Sequence, residues 1–323
     1  MKPILISIVI PTYKRPLLLA RCLSAISRQS LDSYLYEIII VSDGPDETTA
    51  DVVEQVLEGR YNYKILTLPQ KKGPAAARNY GWQNAVAKLI AFTDDDCLPG
   101  EYWLASFLDA YGEETMAAFT GSIYVPVPTK PTDFARNTAN LEKAEFVTAN
   151  CCVTKQALLI TGGFDERFLM AWREDSDLEF KLLLQNVIIK RVEAALVVHP
   201  VRDAEWAVSI REQQKGIFNA LLYKKFPALY RSKIQPSPAW RYYVIILSVT
   251  VLIISLIINE NKIIVPSFLL WLLLMLQFIK KRLSGTSHSF SHITEMIITS
   301  FAIPFLSVYW QLYGAIRYRV IFF

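Results

Sequence analysis

Residues 94–96 are three consecutive aspartates, Asp94, Asp95 and Asp96, set directly after the mainly apolar run VAKLIAFT. Adjacent carboxylates repel one another unless a cation neutralises them. At the end of an extended strand, residues i and i+2 face the same side. Asp94 and Asp96 can therefore enter one site while Asp95 points elsewhere. Oxygen-rich sites of this kind suit Mg²⁺ or Mn²⁺, which also take oxygens from substrate phosphates. A second acidic cluster, Glu174, Asp175 and Asp177, lies in the stretch REDSDLEF. Ser176 and Glu179 fit the S-x-x-E capping pattern, which predicts a helix starting at Asp177. Asp175 would then sit just before the helix, free to project into a cleft. Acidic residues at a helix start can also serve the helix dipole alone; the aspartates upstream favour a site.

These groups need a scaffold, and the first hundred residues supply one. Strand patterns occur at ILISIVI, YEIIIVS, YKILTL and KLIAFT, with helical patterns between them at 16–29, 47–58 and 75–87. Short, continuous Ile/Leu/Val runs are the mark of parallel strands buried on both faces, with helices as crossovers. An α/β, doubly wound sheet follows, and such sheets bind ligands beyond the carboxyl ends of their strands. The segments following the four strands are PTYKR, SDGPDE, PQKKGPAAARN and DDDC, so polar groups gather at one sheet edge. AAFTGSIYVPV and VIIKRVEAALVVHP read as further strands. Gly162 and Gly163 predict the turn that ends the helix before the second acidic cluster. The connection 129–150 could border a substrate cleft.

The mean hydropathy is +0.25 and 52% of residues are hydrophobic, high values for a purely soluble enzyme. The cause is local. Residues 242–258 and 263–279 carry no charge, and each reaches the lower length limit for a membrane span. A third uncharged stretch, 296–314, contains Pro304 and either crosses or returns as a re-entrant piece. ILISIVI reads as a buried strand rather than a signal peptide, as it lacks a small-residue cleavage site. Cys22, Cys97, Cys151 and Cys152 show no metal-ligand spacing and read as reduced, buried side chains. A net charge of +4 gives no argument for nucleic acid. Residues 213–259 contain no acid, and from Lys215 to Arg241 basic and aromatic residues alternate. Such a segment before a span suits an anionic cytoplasmic leaflet. Lys280, Lys281 and Arg282 after the second span agree with a hairpin whose flanks, and the catalytic portion, face the cytoplasm.

In combination, these motifs resemble the family 2 glycosyltransferases of GT-A fold over about residues 4–225. SIVIPTYKR is similar to the first strand and nucleotide loop of that family, KKGPAAARN to its nucleotide segment, and TDDDC to its DxD metal motif. GGFDERF and REDSDLEF are similar to its acceptor loop and ED motif. The resemblance implies a catalytic domain over 1–225, followed by a basic juxtamembrane segment (226–241) and a membrane region (242–323). It implies a donor site for a nucleotide-diphosphate sugar formed by Pro11, Thr12, Tyr13, Arg15, Asp43, Lys72, Gly73, Arg78, Asp94 and Asp95. Asp96 and His199 would hold Mn²⁺ or Mg²⁺. Asp175 would be the base, with Asn150, Gly163, Trp172, Arg173 and Glu174 on the acceptor side.

The expected reaction is inverting transfer of one sugar to a hydroxyl. UDP is the expected nucleotide by family frequency alone. The QxxRW motif of processive members is absent, which favours a single transfer. A lipid-linked glycan is the expected acceptor, in assembly of a surface or secreted glycan, because a water-soluble one gives no reason for membrane spans. Arg202, Arg211 and Lys215 are candidates for its diphosphate. The alternatives are a polyprenyl-phosphate glycosyltransferase, whose acceptor needs no base, and a catalytically silent membrane scaffold that binds nucleotide sugar.

Overall fold

The computed structural model describes residues 3–57, 59 and 61–322. In chain order the elements are β1 (Ile6–Thr12), α1 (Pro16–Ile26), β2 (Tyr36–Ser42), α2 (Glu47–Leu57), β3 (Asn62–Thr67), α3 (Pro74–Gln83), β4 (Leu89–Phe92), β5 (Leu98–Pro99), α4 (Trp103–Tyr111), β6 (Ala118–Tyr124) and α5 (Asp133–Thr138). There follow β7 (Cys151–Thr154), α6 (Lys155–Thr161), α7 (Glu174–Leu184), β8 (Ile189–Val198), α8 (Val208–Glu212), α9 (Ile217–Lys225), α10 (Pro227–Lys233), α11 (Trp240–Ile257), α12 (Asn261–Leu283) and α13 (Phe290–Tyr318). They form two compact units, Met1–Pro126 with Ala139–Val201, and Val127–Thr138 with Arg202–Phe323.

The first unit is built on one sheet of order β3-β2-β1-β4-β7-β6-β8-β5. Strands β3, β2, β1 and β4 run parallel, with Ile8 registered against Ile38 on one side and Ala91 on the other. β1 and β2 are buried along their whole length, which is why their sequences are unbroken apolar runs. Alternate residues serve opposite faces. Ile6, Ile8, Ile10, Ile38 and Ile40 pack with Leu19, Cys22 and Ile26 of α1 and with Trp103 and Phe107 of α4. Val9, Ile39, Val41 and Phe92 pack with Ala76 and Ala77 of α3, Leu158 of α6 and Leu178 of α7. β7 pairs antiparallel with both β4 and β6, so the sheet is mostly but not wholly parallel. The run CCVT that forms β7 is too short and too ambiguous to stand out in the sequence.

Helix boundaries differ from expectation at several places; the helix expected over 16–29, for one, ends at Ile26. The helix expected over 75–87 stops at Gln83 although the periodic pattern continues. The peptides beyond it are claimed by the sheet: Val86 N donates to Glu37 Oε1 (2.7 Å) and Ala87 N to Ser7 Oγ (3.1 Å). The second acidic cluster starts its helix at Glu174, three residues before the expected Asp177. Arg173 takes a left-handed conformation, φ 75°, and turns the chain into the helix there. Ser176 therefore does not cap: its N–H donates to Asp175 Oδ1 at 2.6 Å. The helix expected over 47–58 ends at Leu57; residue 58 lies outside the described residues.

In the second unit, α11, α12 and α13 are long and apolar enough to cross a membrane. Pro304 does not interrupt α13, which runs continuously for 29 residues. Arg282, one of the three cations that follow the second apolar stretch, turns inward and is 6% exposed. Its guanidinium donates to Asp133 Oδ2 (3.0 Å), Thr299 Oγ1 (2.6 Å) and Ser300 Oγ (3.1 Å). Asp133 comes from the excursion 127–138, which the chain makes between β6 and β7.

The position of α3 depends on Gly81. A Cβ there would lie 2.4 Å from Val9 Cγ1 and 3.1 Å from Val41 Cγ2. Overpacking of this kind costs about 1–3 kcal/mol. Gly81→Ala should therefore lower the melting temperature of the full chain in detergent by several degrees; an unchanged midpoint would mean that α3 can ride further from the sheet.

Candidate active site

Three strand ends supply the first group of side chains. Thr12 ends β1, Asp43 follows β2, and the three aspartates follow β4. Asp43 N donates to Thr12 O at 2.8 Å, tying the first two ends together. The Asp43 carboxylate is buried and receives the N–H groups of Lys72 (2.7 Å) and Gly73 (2.9 Å). This folds the KKG segment over the strand ends and starts α3, with Pro74 at its first position. Gly73 has φ 95°, and a Cβ there would stand 2.6 Å from Leu169 O, so the sequence needs glycine at this turn. Tyr13, half-buried, lies under the Lys71 ammonium at 4.5 Å from the ring centre. Lys72 itself is exposed and contributes its backbone here.

The aspartates do separate jobs. Asp95 turns back toward β1 and accepts from Thr12 Oγ1 (2.8 Å) and Arg15 Nη1 (3.2 Å). Burial pushes its carboxyl up to about 6, against the opposing pull of Arg15 and Thr12. Asp94, half-buried, accepts from Arg78 Nη2 at 2.6 Å. Asp96 is buried beside His199, with Oδ1 and Nε2 3.8 Å apart. The same-side expectation for Asp94 and Asp96 thus meets distinct partners at each position.

Asp96, Cys97 and His199 place one potential ligand atom each within 4.8 Å of one another. The separation of Asp96 from His199 is too long for a hydrogen bond. His199 Nδ1 is buried with no hydrogen-bond partner. Burial and the neighbouring carboxylates hold the Cys97 thiol well above its usual range, so it enters as neutral sulfur. A carboxylate and an imidazole remain, a donor set that fits a divalent cation completed by phosphate oxygens and water. Cys97 is reduced and buried, as the sequence reading had it; Lys71, beside Lys72 in the KK pair, was passed over.

The second acidic cluster meets the first through one side chain. Arg78, on α3 and 1% exposed, donates from Nη1 to Glu174 Oε1 (3.2 Å) as well as to Asp94. It therefore lies beneath the site. Glu174 is buried, and its carboxyl is pushed up to about 7, first by burial and then by the charge of Asp175. Asp175 is half-buried in the first turn of α7. Burial raises its carboxyl above the usual range, opposed by the Ser176 N–H and the Arg173 charge.

Of the remaining candidates, Gly163 is buried at φ 64°, where a Cβ would strike Asn79 Oδ1 at 2.6 Å. Trp172 is 37% exposed, with the Arg173 guanidinium 4.6 Å over its ring. Asn150 is fully buried. It accepts from Trp103 Nε1 and donates to Ser122 O and Ala195 O, all at 2.8 Å, gripping the bulge between β6 and β8. Pro11 is a buried residue of β1. Arg202, Arg211 and Lys215 belong to the second unit. There Arg211 pairs with Glu205 (2.8 Å), and Lys215 pairs with Glu212.

Residues 7–164 match the family described as Glycosyl transferase family 2. The chain is 31% identical over 99 residues to glycosyltransferase AglE of Haloferax volcanii, covering 31% of this chain and 33% of that protein. It is 25% identical over 279 residues to a chondroitin synthase of Escherichia coli, covering 71% of this chain and 39% of that protein. The chain thus spans about a third of the length of these curated relatives. Among solved structures it is similar to mannosyltransferase PcManGT from Pyrobaculum calidifontis, determined in complex with GDP-Man and Mn²⁺. The TM-score is 0.58 at 15% identity, covering 93% of this chain and 86% of that one, a likeness of fold.

The turn at Gly73 gives a test of the site's framework. Gly73→Ala would impose a strained φ at a cost of about 1–3 kcal/mol. The Lys72 and Gly73-position amides should then exchange with solvent about 5- to 150-fold faster, as read by hydrogen-exchange mass spectrometry. Unchanged protection would remove Asp43 as the anchor of this segment.

Proposed function

The chain is a family 2 glycosyltransferase, and on that premise we propose that it moves one sugar, with inversion, from a nucleotide-diphosphate sugar to a hydroxyl of a lipid-linked glycan at a membrane. The observation that carries the reading is the meeting of two acidic motifs at one sheet edge. Asp94 and Glu174, far apart in sequence, share the guanidinium of Arg78 at 2.6 and 3.2 Å. Carboxylates for donor and acceptor are thereby held on one frame.

In this reading Asp43 and the Lys72–Gly73 turn meet the base, and Tyr13 offers a ring face beside it. Asp94 faces the ribose. Asp96 and His199 would hold a divalent cation, which when bound neutralises charge on the departing diphosphate. Asp175 accepts the proton of the acceptor hydroxyl. That oxygen forms its bond to the anomeric carbon on the face opposite the leaving group. The sugar–phosphate bond breaks, and its electron pair leaves with the nucleoside diphosphate. A carboxyl raised by burial is a better base than an ordinary carboxylate. The three apolar helices support membrane association, and an acceptor carried by a lipid gives that association a purpose. The basic segment 226–241 would face the anionic leaflet on the cytoplasmic side. UDP stands as the proposed nucleotide by family frequency. The chondroitin synthase relative supports a sugar hydroxyl, rather than a bare lipid phosphate, as acceptor.

Two experiments test this. Asp175→Asn keeps the shape and removes the basicity, so transfer should fall by at least about 10²-fold with donor affinity nearly intact. Equal losses in donor affinity and rate would instead make Asp175 structural. Asp96→Ala should abolish metal-dependent nucleotide binding, measured calorimetrically with Mn²⁺, while the protein stays folded. Full transfer in excess EDTA would refute the metal role.

A further inference from the structure

We infer that Glu174 is a positioning residue: pinned inside the protein by Arg78, it sets the first turn of α7 so that Asp175 faces the cleft. The inference rests on the proposed role of Asp175 as the base. It assigns to Arg78 and Glu174 a task other than touching donor or acceptor.

The geometry is specific. Glu174 and Asp175 are consecutive in a helix, where neighbours project in directions about 100° apart. One is swallowed and the other is half-exposed. Glu174 is 3% exposed and Arg78 1% exposed, too deep to meet a substrate. The Arg78 guanidinium is also held from the far side by Asp94 and lies 5.7 Å over the Phe164 ring. It is therefore fixed in place, and it fixes Glu174. The backbone agrees with an imposed start: Arg173 adopts a left-handed φ of 75°, a conformation that non-glycine residues avoid. Two buried atoms of the pair, Arg78 Nε and Glu174 Oε2, find no hydrogen-bond partner among the described residues. A pair retained at that cost is better explained by a task than by stability, since buried ion pairs are poor sources of net stability.

The electrostatics follow from the same arrangement. Asp175 is faced by Glu174 and Arg173 on its own segment, by Arg78 of α3, and by Cys151 of β7. The Cys151 thiol is buried and held well above its usual range, hence neutral. Of the two neighbouring carboxyls, Glu174 is the one pushed up by the charge of the other; Asp175 is raised by burial, against the Ser176 N–H and the Arg173 and Arg78 charges.

The test uses the full chain in detergent or vesicles, with the pH dependence of kcat and the donor KM measured for the wild type, Glu174→Gln and Glu174→Ala. Glu174→Gln keeps a carbonyl oxygen for Arg78 and removes the charge. Its donor KM should stay within about twofold of wild type, and its kcat should exceed that of Glu174→Ala. Glu174→Ala also removes the anchor, so kcat should fall about 10²-fold through misplacement of the base, again with donor KM retained. The glutamine variant should recover most of that loss at the pH plateau. Failure of Glu174→Gln to recover kcat over Glu174→Ala, or a donor KM that rises in step with the loss of kcat, would overturn the inference. Substantial transfer by Asp175→Asn would instead overturn the reading on which it rests, and the two failures are separately visible.

Discussion

A single buried guanidinium links the two acidic clusters of the candidate site. Arg78 joins Asp94, after β4, to Glu174 at the acidic start of α7. The demand on the fold is severe. A charge at that depth must be met by partners that cannot move away, because its desolvation is repaid only in good geometry. The sheet meets the demand by packing α3 flush on β1 through Gly81 and by tying the 163–166 segment to α3. That tie runs through Asn79, which accepts from Phe164 N (2.9 Å) and donates to Phe164 O (2.9 Å).

Segments that only run past one another at the sheet edge thereby become one rigid rim. The Lys72–Gly73 turn is held by Asp43, α3 carries Arg78 and Asn79, and Asn79 holds the loop that leads toward α7. The carboxylates at the rim divide the work according to their surroundings. Asp95 faces inward to Thr12 and Arg15. Asp96 lies beside an imidazole, and Asp175 is half-buried in the first turn of α7. The same residue type acquires different chemistry from burial and neighbours alone.

Much of this was readable from the residues. Continuous Ile/Val/Leu runs gave β1, β2 and β4, because strands buried on both faces leave no room for alternation; β3, at the sheet edge, is only half-buried. The polar segments after them gave the functional edge. What could not be read was tertiary. KKGPAAARN does not say that its arginine points down into the protein rather than up at a ligand, since either use suits an arginine. The capping pattern at Ser176 was locally sound, but the inward pull on Glu174 started the helix a turn earlier. Asn150 lies in a stretch that could have bordered a cleft, yet its amide is spent on a β-bulge. The antiparallel β7 is four residues long and buried, and its pattern is shared by short helical pieces. In each case a long-range partner overrode a local preference.

The buried pair between Asp133 and Arg282 has a consequence for biosynthesis. The two residues are 149 positions apart, and the acid leaves the ribosome first. Until α12 has been made, the excursion 127–138 carries a carboxylate whose cation does not yet exist. The flanking strands β6 and β7 can pair long before that. Translation thus makes the excursion 127–138 well before its partners, and the apolar helices α12 and α13 supply them. Closure of a segment made early waits on helices made last.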